Sequence, residues 1–434
     1  MSSTTPHNHH SRRHSHSPAG GYPGISIILN RVDLQDIPQP QTQASPHSGD
    51  LNNNNAHQPP PVEPFSFDPP LRTEPAKLGR GRVSIHRVPP AVAPPALTQP
   101  KHLVVMDNSV PNPFGPNVDK YWKQRRRLFS RFDEGIQLDE EGWFSVTPEI
   151  IADHAAQRLA DLAGGTEIVV LDAFCGCGGN TIAFAKQPNI TVIASDVDRT
   201  KLRKAAHNAA IYQIPPEKII FIECNAVFLL EFCFKDGEYI LDQPVADPDH
   251  INALMAAMPP PVATEKVAGY SIGGIDLLPR HIDAVFMDPP WGGVDYEVFG
   301  KHGYCLEKNM RIKSPVAPSA QAVGAPGDDF FDSFQPRTKQ ERKTNFNSGL
   351  DDSNCVNGVA LLRLAATATA RRWVVYDIPR NTNRTSLGGA ALAAGYRGNI
   401  KLEEHFLNGR LKTVTAYMGT DWTHLLKDTQ NNSE

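Results

Sequence analysis

Short, uniformly apolar runs that break into turns and then into helical patterns constrain this chain more than any other feature. The run Ile168-Val169-Val170-Leu171 is too short for a helix and carries no polar face, and it leads directly into a glycine-rich turn. A run of that kind belongs to a strand buried on both faces, the usual environment of a parallel sheet. Strands are expected at 168–171, 191–195, 219–223, 284–287 and 373–376, with crossover helices at 181–186 and 199–212. Residues 400–407 and 412–417 flank Asn408-Gly409 and read as a closing antiparallel pair. The fold class this predicts is α/β, a doubly wound, mostly parallel sheet.

Ahead of that core, residues 112–136 interleave Phe114, Tyr121, Trp122, Leu128, Phe129 and Phe132 with Lys120, Lys123, Arg125, Arg126, Arg127 and Arg131. Taken alone, this is an amphipathic helical segment with a solvated basic face. Thr147 reads as an N-cap with Pro148 at the first helical position, and Ile150, Ile151, His154, Ala155, Leu159 and Leu162 recur at helical spacing up to Gly164-Gly165. Residues 111–165 therefore form a helical extension, and 166–425 the core.

Residues 1–110 read as disordered, because the proline run 59–61, the asparagines 52–55 and the histidines His7, His9, His10, His14 and His16 leave little apolar surface to offset chain entropy. The histidine tract has no fixed ligand geometry and reads as solvated, so no metal is expected. Two stretches inside the core, 235–280 and 301–357, lack sustained periodicity and read as mobile surface insertions.

Lys and Arg total 43 against 47 acids, a net charge of -4, so overall charge does not announce a nucleic-acid partner. Six cysteines at 175, 177, 224, 233, 305 and 355 form no C-x-x-C pair, which fits a reducing compartment and disfavours a zinc module. No apolar run is long enough to span a bilayer, and the chain is expected to be soluble and intracellular.

Two constellations carry chemistry. The first, Asp172-Ala173-Phe174-Cys175-Gly176-Cys177-Gly178-Gly179-Asn180-Thr181, lies where the first strand meets its helix. Gly176 and Gly178 let a ligand approach the backbone at a strand's carboxyl end. The turn has no Walker lysine and is not G-x-G-x-x-G, so nucleoside triphosphates and dinucleotides are disfavoured. Asp196 ends the next strand, about 20 residues on, where a carboxylate accepts both hydroxyls of a ribose. The set suits S-adenosylmethionine; a tight turn with a capping acid is the plainer alternative. Asn225, after the third strand, is placed to pair with an adenine amine.

The second constellation is Asp288-Pro289-Pro290-Trp291-Gly292-Gly293-Val294-Asp295-Tyr296. D-P-P-W resembles the motif of methyltransferases that act on exocyclic amines of bases. Pro289 and Pro290 stiffen the backbone so that its carbonyls and Asp288 accept from an NH₂ group without reorganising. Trp291 is either core or a stacking face, and the glycines after it favour the open face.

The runs K-Y-W at 120–122, L-F-S-R-F-D at 128–133 and G-W-F-S-V-T-P-E at 142–149, followed by D-A-F-C-G-C-G-G-N-T and P-P-W-G-G, closely resemble the trimethylguanosine synthase family. Pro379-Arg380-Asn381, Phe406-Leu407-Asn408 and Leu411-Lys412-Thr413 match as well, and the likeness covers most of 112–420 apart from the insertions. The resemblance implies a class I methyltransferase core, closed by the helical extension, that methylates the guanine N2 of the 7-methylguanosine cap of small nuclear and nucleolar RNAs. By position, Phe129, Thr147, Asp172 and Asp196 would contact S-adenosylmethionine, Trp291 would stack on 7-methylguanine, and Lys120, Tyr296, Arg380 and Lys412 would hold the cap phosphates. The basic aromatic segment is then functional.

It further implies a monomer of the nucleus and nucleolus with a cytoplasmic fraction, whose N-terminus is available to ribonucleoprotein partners. Two positions depart from the family: Ser is more usual at Asp288, and Asp at Asn225. The rival readings are an adenine-N6 methyltransferase and a non-catalytic cap-binding protein.

Overall fold

The computed structural model describes residues 25–34, 83–87, 110–244, 247–315, 354–419 and Trp422. The rest of the 1–110 region, including the histidine tract, and residues 316–353 of the second insertion lie outside the described residues.

The strands of the central sheet are β1 (Ile25–Leu34), β2 (Val83–Arg87), β3 (Ile168–Asp172), β4 (Ile190–Asp196), β5 (Ile219–Glu223), β6 (Glu265–Val267), β7 (Tyr270–Gly273), β8 (Ala284–Met287), β9 (Trp373–Pro379), β10 (Gly398–Leu407) and β11 (Arg410–Met418). All eleven join one sheet, in the order β2-β1-β10-β11-β9-β8-β3-β4-β5-β7-β6. Its middle, β5-β4-β3-β8-β9-β11-β10, is parallel except for β11, which runs antiparallel to both β9 and β10. This is the expected α/β class, a doubly wound, mostly parallel sheet. Strand order reverses between β3 and β8, and ligands of open α/β sheets bind outside the carboxyl ends at such a point.

Helices α1 (Glu149–Ala163), α2 (Gly179–Ala185) and α3 (Arg199–Ile211) cover one face, and α4 (Gly358–Ala368) with α5 (Arg384–Ala393) covers the other. Alternation sorts the strand residues between them: Leu171, Val285, Met287, Val374 and Tyr376 pack towards α4, whereas Val170, Phe286 and Val375 pack towards α1 and α2. Asp172, two residues on from Val170, and Asp377, two on from Val375, therefore fall on the α1–α2 side. α1 buries Ile151, Ala155, Ala156 and Leu159, and ends where Gly164 turns left-handed at φ 60°. Thr147 does not cap it. Pro148 occupies the cap position without a side-chain cap, and the Thr147 hydroxyl reaches a strand-end carboxylate instead.

Two expectations are overturned. The 1–110 region is not wholly disordered: β1 pairs in parallel with β10 and with β2, and Ile25, Ile27 and Leu29 are buried. These three residues recur at period two, a local signal that the region's overall composition hides. The 235–280 stretch is no shapeless insertion either. It contains the helix Pro248–Ala257, and β7 within it extends the central sheet by pairing in parallel with β5.

Candidate active site

The turn after β3 is built to bring backbone close to a ligand. Gly178 adopts φ 91°, and a Cβ there would lie 3.1 Å from the Cα of Ala205 in α3, so only glycine lets turn and helix pack. Gly176 adopts φ 52° and faces open space, with nothing within 4 Å of where a Cβ would stand. Its N–H donates to Asp196 Oδ2 at 3.1 Å, and the Asp198 N–H donates to Oδ1 at 2.9 Å. Each Asp196 oxygen keeps a second lone pair for an incoming hydroxyl. Asp172 accepts from the Thr181 hydroxyl at 2.6 Å through Oδ2, but Oδ1 is buried without a partner. Desolvation pushes its pKa up to about 7. A cofactor with a donor for Asp172 Oδ1 and a vicinal diol for Asp196 fits these groups.

Asn225 departs from expectation. Its Oδ1 accepts from the N–H groups of Val227 and Phe228 at 2.9 and 3.4 Å, and its Nδ2 donates to the Lys313 carbonyl at 3.0 Å. The chain enters a helical turn here, and the unpaired donors of that turn claim the acceptor that an adenine amine would need. Cys175 and Cys177 are buried, with their thiol pKa values raised by desolvation, as suits packing residues.

The helical extension closes over this turn. Phe129 is buried, and its ring and Val146 pack where Gly179 leaves room at the start of α2. Thr147 Oγ1 donates to Asp288 Oδ2 at 3.1 Å, while Asn180 Nδ2 reaches Thr147 Oγ1 at 3.3 Å and Asp288 Oδ2 at 3.4 Å. Asn180, passed over in the sequence, thus ties extension, glycine turn and acceptor loop together. Burial and the neighbouring Asp377 and Asp172 push the Asp288 carboxyl well above the usual range.

Beyond Asp288, Pro289 is buried and Trp291 half-buried. Tyr296 stands edge-on to the Trp291 ring at 5.8 Å and 85°, and the Tyr304 hydroxyl donates to the Trp291 carbonyl at 3.2 Å. One contact thus holds the indole and the other its backbone, while the residue keeps exposed area. The Tyr296 carbonyl accepts from Asn381 Nδ2 at 2.9 Å.

The structure gathers three of the predicted phosphate residues, Lys120, Arg380 and Lys412, from three segments of the chain. Lys412 has its amine pKa lowered by burial and then by Arg127, Lys120, Arg410 and Arg380, all close enough to repel it. Like charges held together in this way favour an anion between them. Arg127 and Arg410 join the expected Lys120, Arg380 and Lys412, because β11 brings residues 410 and 412 beside the extension. Arg380 also donates to Glu297 at 2.5 Å, and burial together with Glu297 raises the Tyr296 pKa.

A second polar cluster lies on the same sheet face. Ring nitrogens of His154 and His405 and a Glu403 oxygen lie within 4.8 Å of one another, a metal-like grouping. Lys401 and Arg158 each stand 3.1 Å from Glu403, so two cations already neutralise that carboxylate.

The sequence model of the RNA cap guanine-N2 methyltransferase family matches residues 167–317. The chain is 35% identical over 189 residues to trimethylguanosine synthase of Schizosaccharomyces pombe, covering 44% of this chain and 59% of that protein. It is 54% identical over 69 residues to trimethylguanosine synthase of Saccharomyces cerevisiae, covering 16% of this chain and 22% of that protein. The match thus spans less than two thirds of either relative. Among solved structures it is similar to a SAM-dependent methyltransferase from Agrobacterium tumefaciens, at 11% identity and a TM-score of 0.32 over 63% of this chain and 62% of that one. The stretch matched by that family model holds both the glycine turn after β3 and the loop from Asp288 to Trp291.

Proposed function

We propose that this protein transfers methyl groups from S-adenosylmethionine to the exocyclic N2 amine of a 7-methylguanosine RNA cap, forming 2,2,7-trimethylguanosine. The observation that carries the reading is the placement of Asp288, the half-open Trp291 and the cation group around Lys412 at the switch point, beside the turn holding Gly176 and Asp196. A base, its positive charge and its phosphates each have a partner there. The cofactor supplies an electrophilic methyl group, so the protein's task is placement, with reacting atoms at roughly 3 Å.

Asp196 and the Gly176 backbone hold the nucleoside end of the cofactor, and Asp172 receives a donor. Trp291 stacks on the methylated base, whose positive charge strengthens the contact by about 0.5–2 kcal/mol. Asp288 accepts from the amine. Lys120, Arg380 and Lys412, with Tyr296, hold the phosphates. Methylation at the ring's seventh position acidifies the adjacent ring NH and makes a more nucleophilic base accessible, so that modification precedes reaction at N2. The family resemblance leads us to propose small nuclear and nucleolar RNAs as substrates, a nuclear and nucleolar site of action with a cytoplasmic fraction, and a monomer meeting ribonucleoprotein partners through its N-terminus.

The test is incubation with methyl-labelled cofactor and capped RNA, followed by identification of the labelled nucleoside. Label in N2-methylated 7-methylguanosine is expected. Label in N6-methyladenosine, or cap binding without transfer, overturns the reading.

A further inference from the structure

The register of the central strands places a second carboxylate beside the first. Met287 pairs with Tyr376, so Asp288 follows beside Asp377 on the neighbouring strand, about 5 Å away between backbones. Asp377 in turn pairs with Thr415, and Thr415 with Glu403, giving one lateral row across four strands on the face covered by α1. Asp377 is buried and rigidly held: Oδ1 accepts from the hydroxyls of Thr413 at 2.5 Å and Thr415 at 2.9 Å. Nothing in the reading above uses it.

We propose, resting on that reading, that Asp288 and Asp377 form a carboxyl pair sharing one proton, and that Asp377 is the positioning residue through which Asp288 accepts the proton lost by the amine. Two carboxylates on adjacent strands, Asp377 buried and Asp288 partly so, do not both ionise, so the pair keeps one proton and a single negative charge. Asp288 takes the proton leaving the amine nitrogen as that nitrogen's lone pair closes the N–C bond and the S–C bond of a methyl sulfonium donor breaks, its electrons staying on sulfur. In the same event Asp288 hands its own proton to Asp377. The pair then holds two protons and no charge until one returns to solvent.

The groups facing the pair support this. Asp288 meets Asp172 from β3 and the neutral donors Thr147 and Asn180. Asp377 meets Thr413 and Thr415 from β11, with Tyr417 of the same strand nearby. Behind Thr415 stands His405 at 3.4 Å, its pKa lowered by burial, and behind that Glu403 with its cations Lys401 and Arg158. Burial raises the pKa of both members of the pair.

The test combines infrared titration of the protonated carboxyl stretch with pH–rate profiles, on wild type, Asp377→Asn and Thr415→Val. Removing the neighbouring charge with Asp377→Asn should lower the midpoint of the Asp288 band and move the acid limb of kcat to lower pH. Maximal turnover should fall tenfold or more, with KM for capped substrate and cofactor affinity unchanged. Thr415→Val, which deletes a donor to the carboxylate and keeps volume, should move both midpoint and limb to higher pH. Opposite shifts from the two variants separate charge sharing from mere loss of packing, and Thr415→Val serves alone if Asp377→Asn does not fold. An unmoved band and an unmoved limb overturn the proposal. If wild type methylates no cap, the functional reading fails, and the band positions still decide whether the carboxyls share a proton.

Discussion

Two clusters of buried carboxylates share one sheet face, yet their protons behave oppositely. Glu403 is fully buried, and Lys401, Arg158 and His154 around it hold its pKa well below the usual value. Asp172 and Asp377 are buried and Asp288 is partly so, but their partners are hydroxyls and an amide, and all three are pushed up. Burial alone therefore does not set the direction; the presence of a cation does. A compensated cluster needs nothing further. An uncompensated one at a strand-end crevice is poised for a cationic ligand, and both a sulfonium and a methylated guanine are cationic.

The largest expected effect concerns the edge beside the compensated cluster. Deleting residues 1–100 removes β1, which covers β10 and buries Ile25, Ile27 and Leu29. At roughly 1.5–3 kcal/mol per buried aliphatic side chain, the loss is about 5 kcal/mol, and the bared β10 edge should promote aggregation. Denaturant unfolding of the truncated chain checks it; unchanged stability would show that β1 adds nothing to the core.

Next, Glu403→Gln leaves the buried Lys401 and the partly exposed Arg158 without their counter-charge and should cost about 3 kcal/mol. Asp288→Asn, in contrast, removes a desolvated carboxyl and should be close to neutral for folding while abolishing turnover. Equal destabilisation by the two, read by chemical denaturation, would erase the distinction between the clusters.

The pH slopes sharpen the same contrast. The folded chain holds the Asp172 proton up to about pH 7, whereas the unfolded chain releases it near the ordinary carboxyl value of 3.8. Its contribution to stability is full at low pH and lost as pH rises through about 7. Glu403, with its folded pKa depressed below 4.5, contributes above that value and loses its share as pH falls through the folded pKa. Stability measured against pH should flatten above pH 4 in Asp172→Asn and below it in Glu403→Gln; a reversed assignment would break the comparison.

A smaller effect is expected at the cofactor turn. Asp196→Asn should weaken cofactor binding by about 1.5–3 kcal/mol by calorimetry, the worth of a hydrogen bond to a charged group, with little change in stability. The smallest is Trp291→Ala, which should cost methylated cap analogues about 0.5–2 kcal/mol more than unmethylated ones. A fall of several kcal/mol in stability, with both analogues affected alike, would instead make Trp291 a core residue.

The sequence by itself determined the features that depend on neighbours in the chain. The apolar runs, the glycine turn with its following acid at Asp196, and the proline-stiffened loop before Trp291 were legible because a buried parallel strand and a sharp turn impose their residue types locally. Tertiary structure decided what depends on register and long-range approach. Asp377 sits in an apolar run and looks like a strand residue until pairing sets it beside Asp288. Arg410 and Lys412 meet Lys120 only because β11 lies between β9 and β10. Thr147 and Asn225 exchanged their expected tasks for others, one bonding to Asp288 and the other capping a helical turn. Side-chain chemistry is written in the sequence, but the partner that fixes its charge and role comes from elements distant in the chain, brought together by burial of the sheet between two helical layers.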